Sequence, residues 1–171
     1  MIELLQIKIL IIHLYIQLLY MKELEDILKI KSNISLSKKT VLNISFTGAF
    51  LKDEILSGLK PYDISIEQFN VLRILRGKKG EPTNLQDIQE RMLNKMSNTT
   101  RLVDKLILKG LVERFICEKN RRKVDIYITE NGLNLLKELD PIVEKTEEAL
   151  TSNLTEQELI ELNTLLTKLR P

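Results

Sequence analysis

The chain has 171 residues, 43% apolar and 29% charged, enough to bury one core and stay in solution, which excludes a wholly disordered or collagen-like polymer. One cysteine, Cys117, and one histidine, His13, exclude an intramolecular disulfide and a cysteine-built zinc site and remove most metal and triad chemistry, so no catalytic residue, metal ligand or cofactor is expected. The net charge of +2 hides a segregation: residues 91–123 carry ten bases against three acids, +7, whereas residues 124–171 carry four bases against ten acids, −6. A basic block in a near-neutral chain suits a polyanion-binding surface, although a solvated helix face produces similar runs.

Residues 1–20, MIELLQIKILIIHLYIQLLY, are apolar or aromatic at fifteen of twenty positions, the length of a membrane span. Glu3, Gln6, Lys8, His13 and Gln17 interrupt the run, and a charge at mid-helix costs about 2.5–3.5 kcal/mol on insertion. No basic start or small-residue cleavage site marks a secretory signal. Three readings stay open: an extension upstream of a start at Met21, an amphipathic packing helix, and a membrane anchor. His13 is a bystander in this stretch.

Residues 22–30 form a short amphipathic stretch. A longer helix is predicted over 38–59, with apolar Val41, Leu42, Phe46, Phe50, Ile55 and Leu59, ended by Pro61. Ser65-Ile-Glu-Gln68 is a capping box opening a helix through Phe69, Leu72 and Leu75 that stops at Gly77 and Gly80. Thr83-Asn-Leu-Gln86 repeats the signature and starts a short helix to about Leu93. Ser97 is expected to cap the next helix, running to Lys109, with Gly110 in the left-handed position beyond its end. Residues 111–118 and 124–129 read as strands joined by a basic tip, Lys119-Asn120-Arg121-Arg122-Lys123. Thr129 caps a helix that Asp140-Pro141 is expected to punctuate, with helix resuming to about Leu150. Thr155-Glu-Gln-Glu158 is a third capping box, ahead of a stripe of Leu159, Leu162, Leu165, Leu166 and Leu169.

Two short helices, a turn, a strand and a basic-tipped hairpin make a winged helix-turn-helix. On the second helix, Leu102, Val103, Leu106 and Thr99 fall inward at helical spacing. Asn98, Arg101, Lys105 and, one turn earlier, Lys95 fall on the opposite side, flanked by Ser97 and Thr100. Short polar residues at a helix N-terminus donate to phosphates, and Arg101 and Lys105 reach base edges or backbone in a major groove. The plainer reading of this face is a solvated surface. With the wing's Arg121, Arg122 and Lys123, these residues are the candidate contacts to double-stranded DNA.

The runs MSNTTRLVDKLILKGLVER (Met96–Arg114) and NRRKVDIYITENG (Asn120–Gly132) resemble the MarR family of bacterial winged-helix transcription regulators. The resemblance spans roughly residues 36–169. It implies a mainly α fold with a small β-hairpin wing, and a homodimer in which each subunit sets a recognition helix in the major groove. Arg121 or Arg122 would then enter the minor groove, where a narrow groove favours arginine. Many members carry Asp at the positions of Cys117 and Asn120 to brace that arginine; Asn120 offers a hydrogen bond without charge. Asp104 is a substitute partner for a basic residue, or pairs with Arg101 three residues earlier. Cys117 reads as structural or incidental, since no second cysteine resolves a disulfide.

The resemblance divides the chain into a leader at 1–20, N-terminal dimerisation helices at 21–60, the winged helix-turn-helix at 61–129 and C-terminal dimerisation helices at 130–171. The leucine stripe then packs across a two-fold axis, although sequence also admits intrachain core. The implied function is a cytoplasmic, homodimeric, sequence-specific repressor released by a small aromatic effector. Phe46, Phe50, Tyr62 and Phe69 could line a site for one, or simply fill core; no ligand site is assigned. The alternatives are a winged-helix protein-interaction module without DNA binding and a membrane-tethered regulator.

Overall fold

The computed structural model describes residues 24–31, 33–116 and 124–170. The chain forms two compact units, Met1–Ala49 and Phe50–Pro171. The first contains a single helical turn, α1 (Leu24–Ile27), and the beginning of α2 (Leu36–Leu59), where Leu36, Val41, Ile44 and Phe46 are exposed. The second unit holds the end of α2, a 3₁₀ turn at Lys60–Tyr62, then α3 (Ile66–Arg76), α4 (Leu85–Arg91) and α5 (Thr99–Leu108). After these come β1 (Val112–Ile116), β2 (Val124–Ile128), α6 (Glu130–Thr151) and α7 (Glu156–Leu169). No helix among the described residues is long and apolar enough to cross a membrane. Residues 1–20, Cys117 and the wing tip with Asn120, Arg121, Arg122 and Lys123 lie outside the described residues.

Helix starts are set by side-chain caps. Ser65 and Thr155 form full capping boxes with Gln68 and Glu158, and Thr129 accepts from the Gly132 N–H, all as expected. The backbone N–H and then the hydroxyl of Thr155 hold the Glu158 carboxyl below the usual carboxylate range. Two expected caps are displaced by one residue. Asn84, not Thr83, caps α4, because the Thr83 backbone is committed to a two-bond bridge with Ile126, at 2.8 and 3.2 Å. Asn98, not Ser97, caps α5: its side chain accepts from the Arg101 N–H at 3.0 Å. The expected break at Asp140-Pro141 does not occur, and α6 runs through Pro141. The Lys137 carbonyl, which Pro141 cannot bond, belongs to an exposed residue, so leaving it without its helical donor costs little.

The core centres on α3, whose Phe69, Val71, Leu72 and Leu75 pack with α4, α5, α6 and β2. Ile88, Val103, Leu106, Ile126, Leu136 and Leu139 are fully buried around it. The antiparallel pair β1–β2 sets Arg114 opposite Ile126 and Ile116 opposite Val124. Arg76 on α3 and Asp140 on α6 form a two-pronged ion pair that ties these helices together. By contrast, Leu162, Leu165, Leu166 and Leu169 of the α7 stripe are exposed and Leu159 is half-buried, so the stripe is not core within the protomer.

Gly132 sits where the first turn of α6 meets the corner after α5. A Cβ there would lie 2.3 Å from the Leu111 carbonyl oxygen and 2.7 Å from Ile128 Cγ1, closer than atoms tolerate. The Leu111 carbonyl already accepts from Thr129 N–H at 3.1 Å, so it has little freedom to withdraw. Gly132→Ala should therefore lower unfolding free energy by about 1–3 kcal/mol. Gly77→Ala, at helical φ −62° with nothing nearer than 3.4 Å, should instead raise it by about 0.4–1 kcal/mol. Urea unfolding of both variants checks the contrast, and equal effects would show that α6 does not close on Leu111.

Candidate nucleic-acid interface

Helix α5 has ten residues, too few for a stable isolated helix in water. Its place depends on the inner face, where Val103 and Leu106 are fully buried, Thr99 nearly so, and Leu102 packs against the core edge. Helical spacing then forces Arg101 and Lys105 outward, one turn apart, with Thr100 beside them. Ser97, Asn98, Arg101, Leu102 and Lys105 line one open cleft of about 320 Å³, together with Glu67 from α3. Four of the expected contact residues are thus brought together.

The structure sorts the basic block. Lys109 donates to Asp63 at 2.8 Å. That hydrogen bond, then the charges of Lys109 and Lys105, hold the Asp63 carboxyl below the usual carboxylate range. Arg114 on β1 pairs with Asp104 at 3.0 Å, so Asp104 serves the base of the wing and not Arg101. Lys95, expected on the contact face, donates its ammonium to the Glu90 carbonyl at the end of α4. Arg91, Arg101 and Lys105 are exposed and their side chains have no hydrogen-bond or ion-pair partner among the described residues. Arg91 was not marked by sequence, since its charge alone does not distinguish it from the tied cations around it.

The one acid in the cleft is compensated. Partial burial pushes the Glu67 carboxyl up, but its own backbone N–H and Lys52, at 3.2 Å, outweigh that and hold it below its usual range. The cleft therefore keeps the positive charge of Arg101 and Lys105. Asn98 spends its side-chain oxygen on the α5 cap, leaving its amide N–H groups to face outward. The Ser97 hydroxyl is buried and has no hydrogen-bond partner among the described residues. Among the aromatic candidates for an effector site, Phe69 is core, with the Arg73 guanidinium 5.6 Å over its ring, and Tyr62 packs against the core. Phe46 and Phe50 are exposed.

Comparisons with known proteins bear on the family and the fold. The family model described as MarR family matches residues 64–124. The multiple antibiotic resistance protein MarR of Escherichia coli K12 is 32% identical over 123 residues, covering 70% of this chain and 83% of that protein. The crystal structure of a cysteine-to-serine mutant of the E. coli protein complexed with operator DNA superposes with TM-score 0.67 at 27% identity, covering 75% and 91% of the two chains. Bordetella bronchiseptica BpsR, described for regulation of its DNA binding by 6-hydroxynicotinic acid, shares the fold at TM-score 0.71, with 19% identity over 81% and 97%.

The capping assignment separates two adjacent residues. Asn98→Ala should cost about 0.5–2 kcal/mol of stability, while Asn98→Asp should largely preserve it. Ser97→Ala removes a buried hydroxyl that makes no bond among the described residues, so unfolding free energy should stay level or rise. Equal losses at both positions in denaturant titrations would show that Asn98 is not the sole cap.

Proposed function

The chain belongs to the MarR family of winged-helix transcription regulators, and on that basis we propose that it is a homodimeric repressor that reads a double-stranded operator and is released by a small-molecule effector. The observation that carries this reading is the division of α5: an inner face sealed in core and an outer face presenting two exposed cations, Arg101 and Lys105. Nothing among the described residues gives either cation a hydrogen-bond or ion-pair partner there. A major groove, about 12 Å wide, admits such a helix and offers phosphates and base edges to both.

In this reading Arg101, Lys105, Asn98 and Thr100 contact the groove with their side chains, Ser97 adjoins it through its backbone, and Arg121, Arg122 and Lys123 carry the wing to the flanking minor groove. Lys95 contributes through the turn that it closes. E. coli MarR supplies the precedent of an operator complex. The effector step extends to this chain the regulation described for BpsR. The protein works in the cytoplasm, where operator and effector meet. Residues 130–171 and the N-terminal helices at 21–60 form the dimer, which sets two recognition helices about one DNA turn apart and multiplies a modest single-site affinity.

Fluorescence anisotropy with DNA from upstream of its own gene, beside scrambled DNA and across a salt titration, tests the reading. Arg101→Ala should relax sequence preference, costing about 1–3 kcal/mol at a contacted base pair. Arg121→Ala with Arg122→Ala should weaken all sequences alike and flatten the salt slope by about one per lost phosphate contact. Equal affinity of wild type for both DNAs at every salt concentration would refute an operator reader.

The dimer has its own test. Leu165 and Leu169 are 65% and 61% exposed, so Leu165→Glu with Leu169→Glu leaves the protomer core intact. The double variant should sediment as a monomer and bind the native fragment far more weakly. A stable dimer would refute α7 as the interface.

A further inference from the structure

We propose that Gln89 is a positioning residue, whose side-chain amide joins α4, the turn and α5 and so sets the seat of the reading helix. The inference rests on the operator-reading proposal and names what fixes the orientation of its reading helix. Gln89 lies in the last turn of α4. Its Nε2 donates to the Lys95 carbonyl, in the turn, and its Oε1 accepts from the Thr99 hydroxyl, on the first residue of α5. The Lys95 ammonium returns to the Glu90 carbonyl, closing the turn from the other side.

A side-chain amide suits this place because it donates and accepts at once in one plane; a carboxylate only accepts and an alkyl chain does neither. Thr99 is buried, so water does not replace Gln89 as the partner of its hydroxyl. The turn's other bonds, from the Met96 and Ser97 N–H groups to Asn94 at 3.0 and 3.2 Å, hold its local shape. Gln89 is the residue that bonds the turn and the start of α5 together. Without it, the Lys95 carbonyl and the Thr99 hydroxyl are released, and α5 keeps its buried stripe while its first turn, with Asn98 and Arg101, loses its tie to α4. Base readout depends on how that turn is held, because a functional group must be held within roughly 0.5 Å and 10–20° of its productive geometry. Phosphate attraction depends on it far less.

The experiment compares full-length wild type, Gln89→Leu, Gln89→Leu with Thr99→Val, and Thr99→Ser. Each is titrated with native upstream DNA and scrambled DNA across salt, with circular dichroism melts alongside. The two Gln89 variants should lose roughly tenfold of the native-over-scrambled preference, with the wild-type salt slope unchanged. Thr99→Ser, which keeps the hydroxyl, should retain the preference. The double variant leaves no unpaired buried hydroxyl, so it carries the test if Gln89→Leu does not fold. Wild-type preference in a folded Gln89 variant overturns this inference alone. A loss of preference accompanied by a shallower salt slope also overturns it, since phosphate contacts would then have gone. Absence of any preference in wild type overturns the operator reading and this inference together.

Discussion

Burial of Val103 and Leu106 is the constraint on which the rest of the interface depends. A ten-residue helix has too little internal cohesion to persist in water, so its seat on α3 and β1 is what makes it a helix at all. The same seat leaves no freedom over which side chains emerge. With positions 99, 103 and 106 inward, 101 and 105 have nowhere to go but out. Stability and presentation are therefore one event, and a substitution that loosens the inner stripe disturbs the outer face before it touches any outer residue.

Charge is distributed by the same logic. The basic block is not uniformly available, because Lys109 is held by Asp63 and Arg114 by Asp104. The Asp63 carboxylate is almost fully exposed and the Arg114–Asp104 pair partly so, and solvent screens both. Their larger effect is geometric: Asp104 fixes β1 against α5, and Asp63 fixes the end of α5 against the loop before α3. The described cations of the block thus divide into those that hold the frame and those without a partner among the described residues. Sequence cannot draw that line, since each of them is a Lys or Arg in one run.

The legible parts of the fold were those encoded locally. Ser65, Thr129 and Thr155 could be placed because a cap needs only a short polar side chain and the N–H groups that follow it. The inner and outer faces of α5 were legible from periodicity alone. Failures arose where a distant partner decided the outcome. Thr83 has the chemistry of a cap, but Ile126, far along the chain, claims its backbone first. Ser97 and Asn98 are equally plausible caps locally, and the turn held by Gln89 and Asn94 selects the second. Pro141 reads as a stop, yet packing of Leu136, Leu139 and Val143 on either side outweighs one missing bond. Gln89 carried no sequence signal, because its two partners are met only when the turn is folded.

Helix α7 has 14 residues, a full capping box and an apolar side that the protomer leaves exposed. A cap contributes about 1 kcal/mol, which does not sustain a helix of this length without a packed face. Fully burying a leucine is worth about 1.5–3 kcal/mol, and Leu162, Leu165, Leu166 and Leu169 of α7, 36–65% exposed, forgo part of that, so the apolar side of α7 calls for a cover. In the proposed dimer, that cover is the partner subunit. Helix α6 carries the adjoining segment and is tied to α3 through Asp140 and Arg76, and α3 in turn seats α5. In the repressor proposed above, an effector that altered packing along this line would reach α5 without touching a single contact residue, and two helices no longer matching the spacing of one DNA turn would lose the operator together.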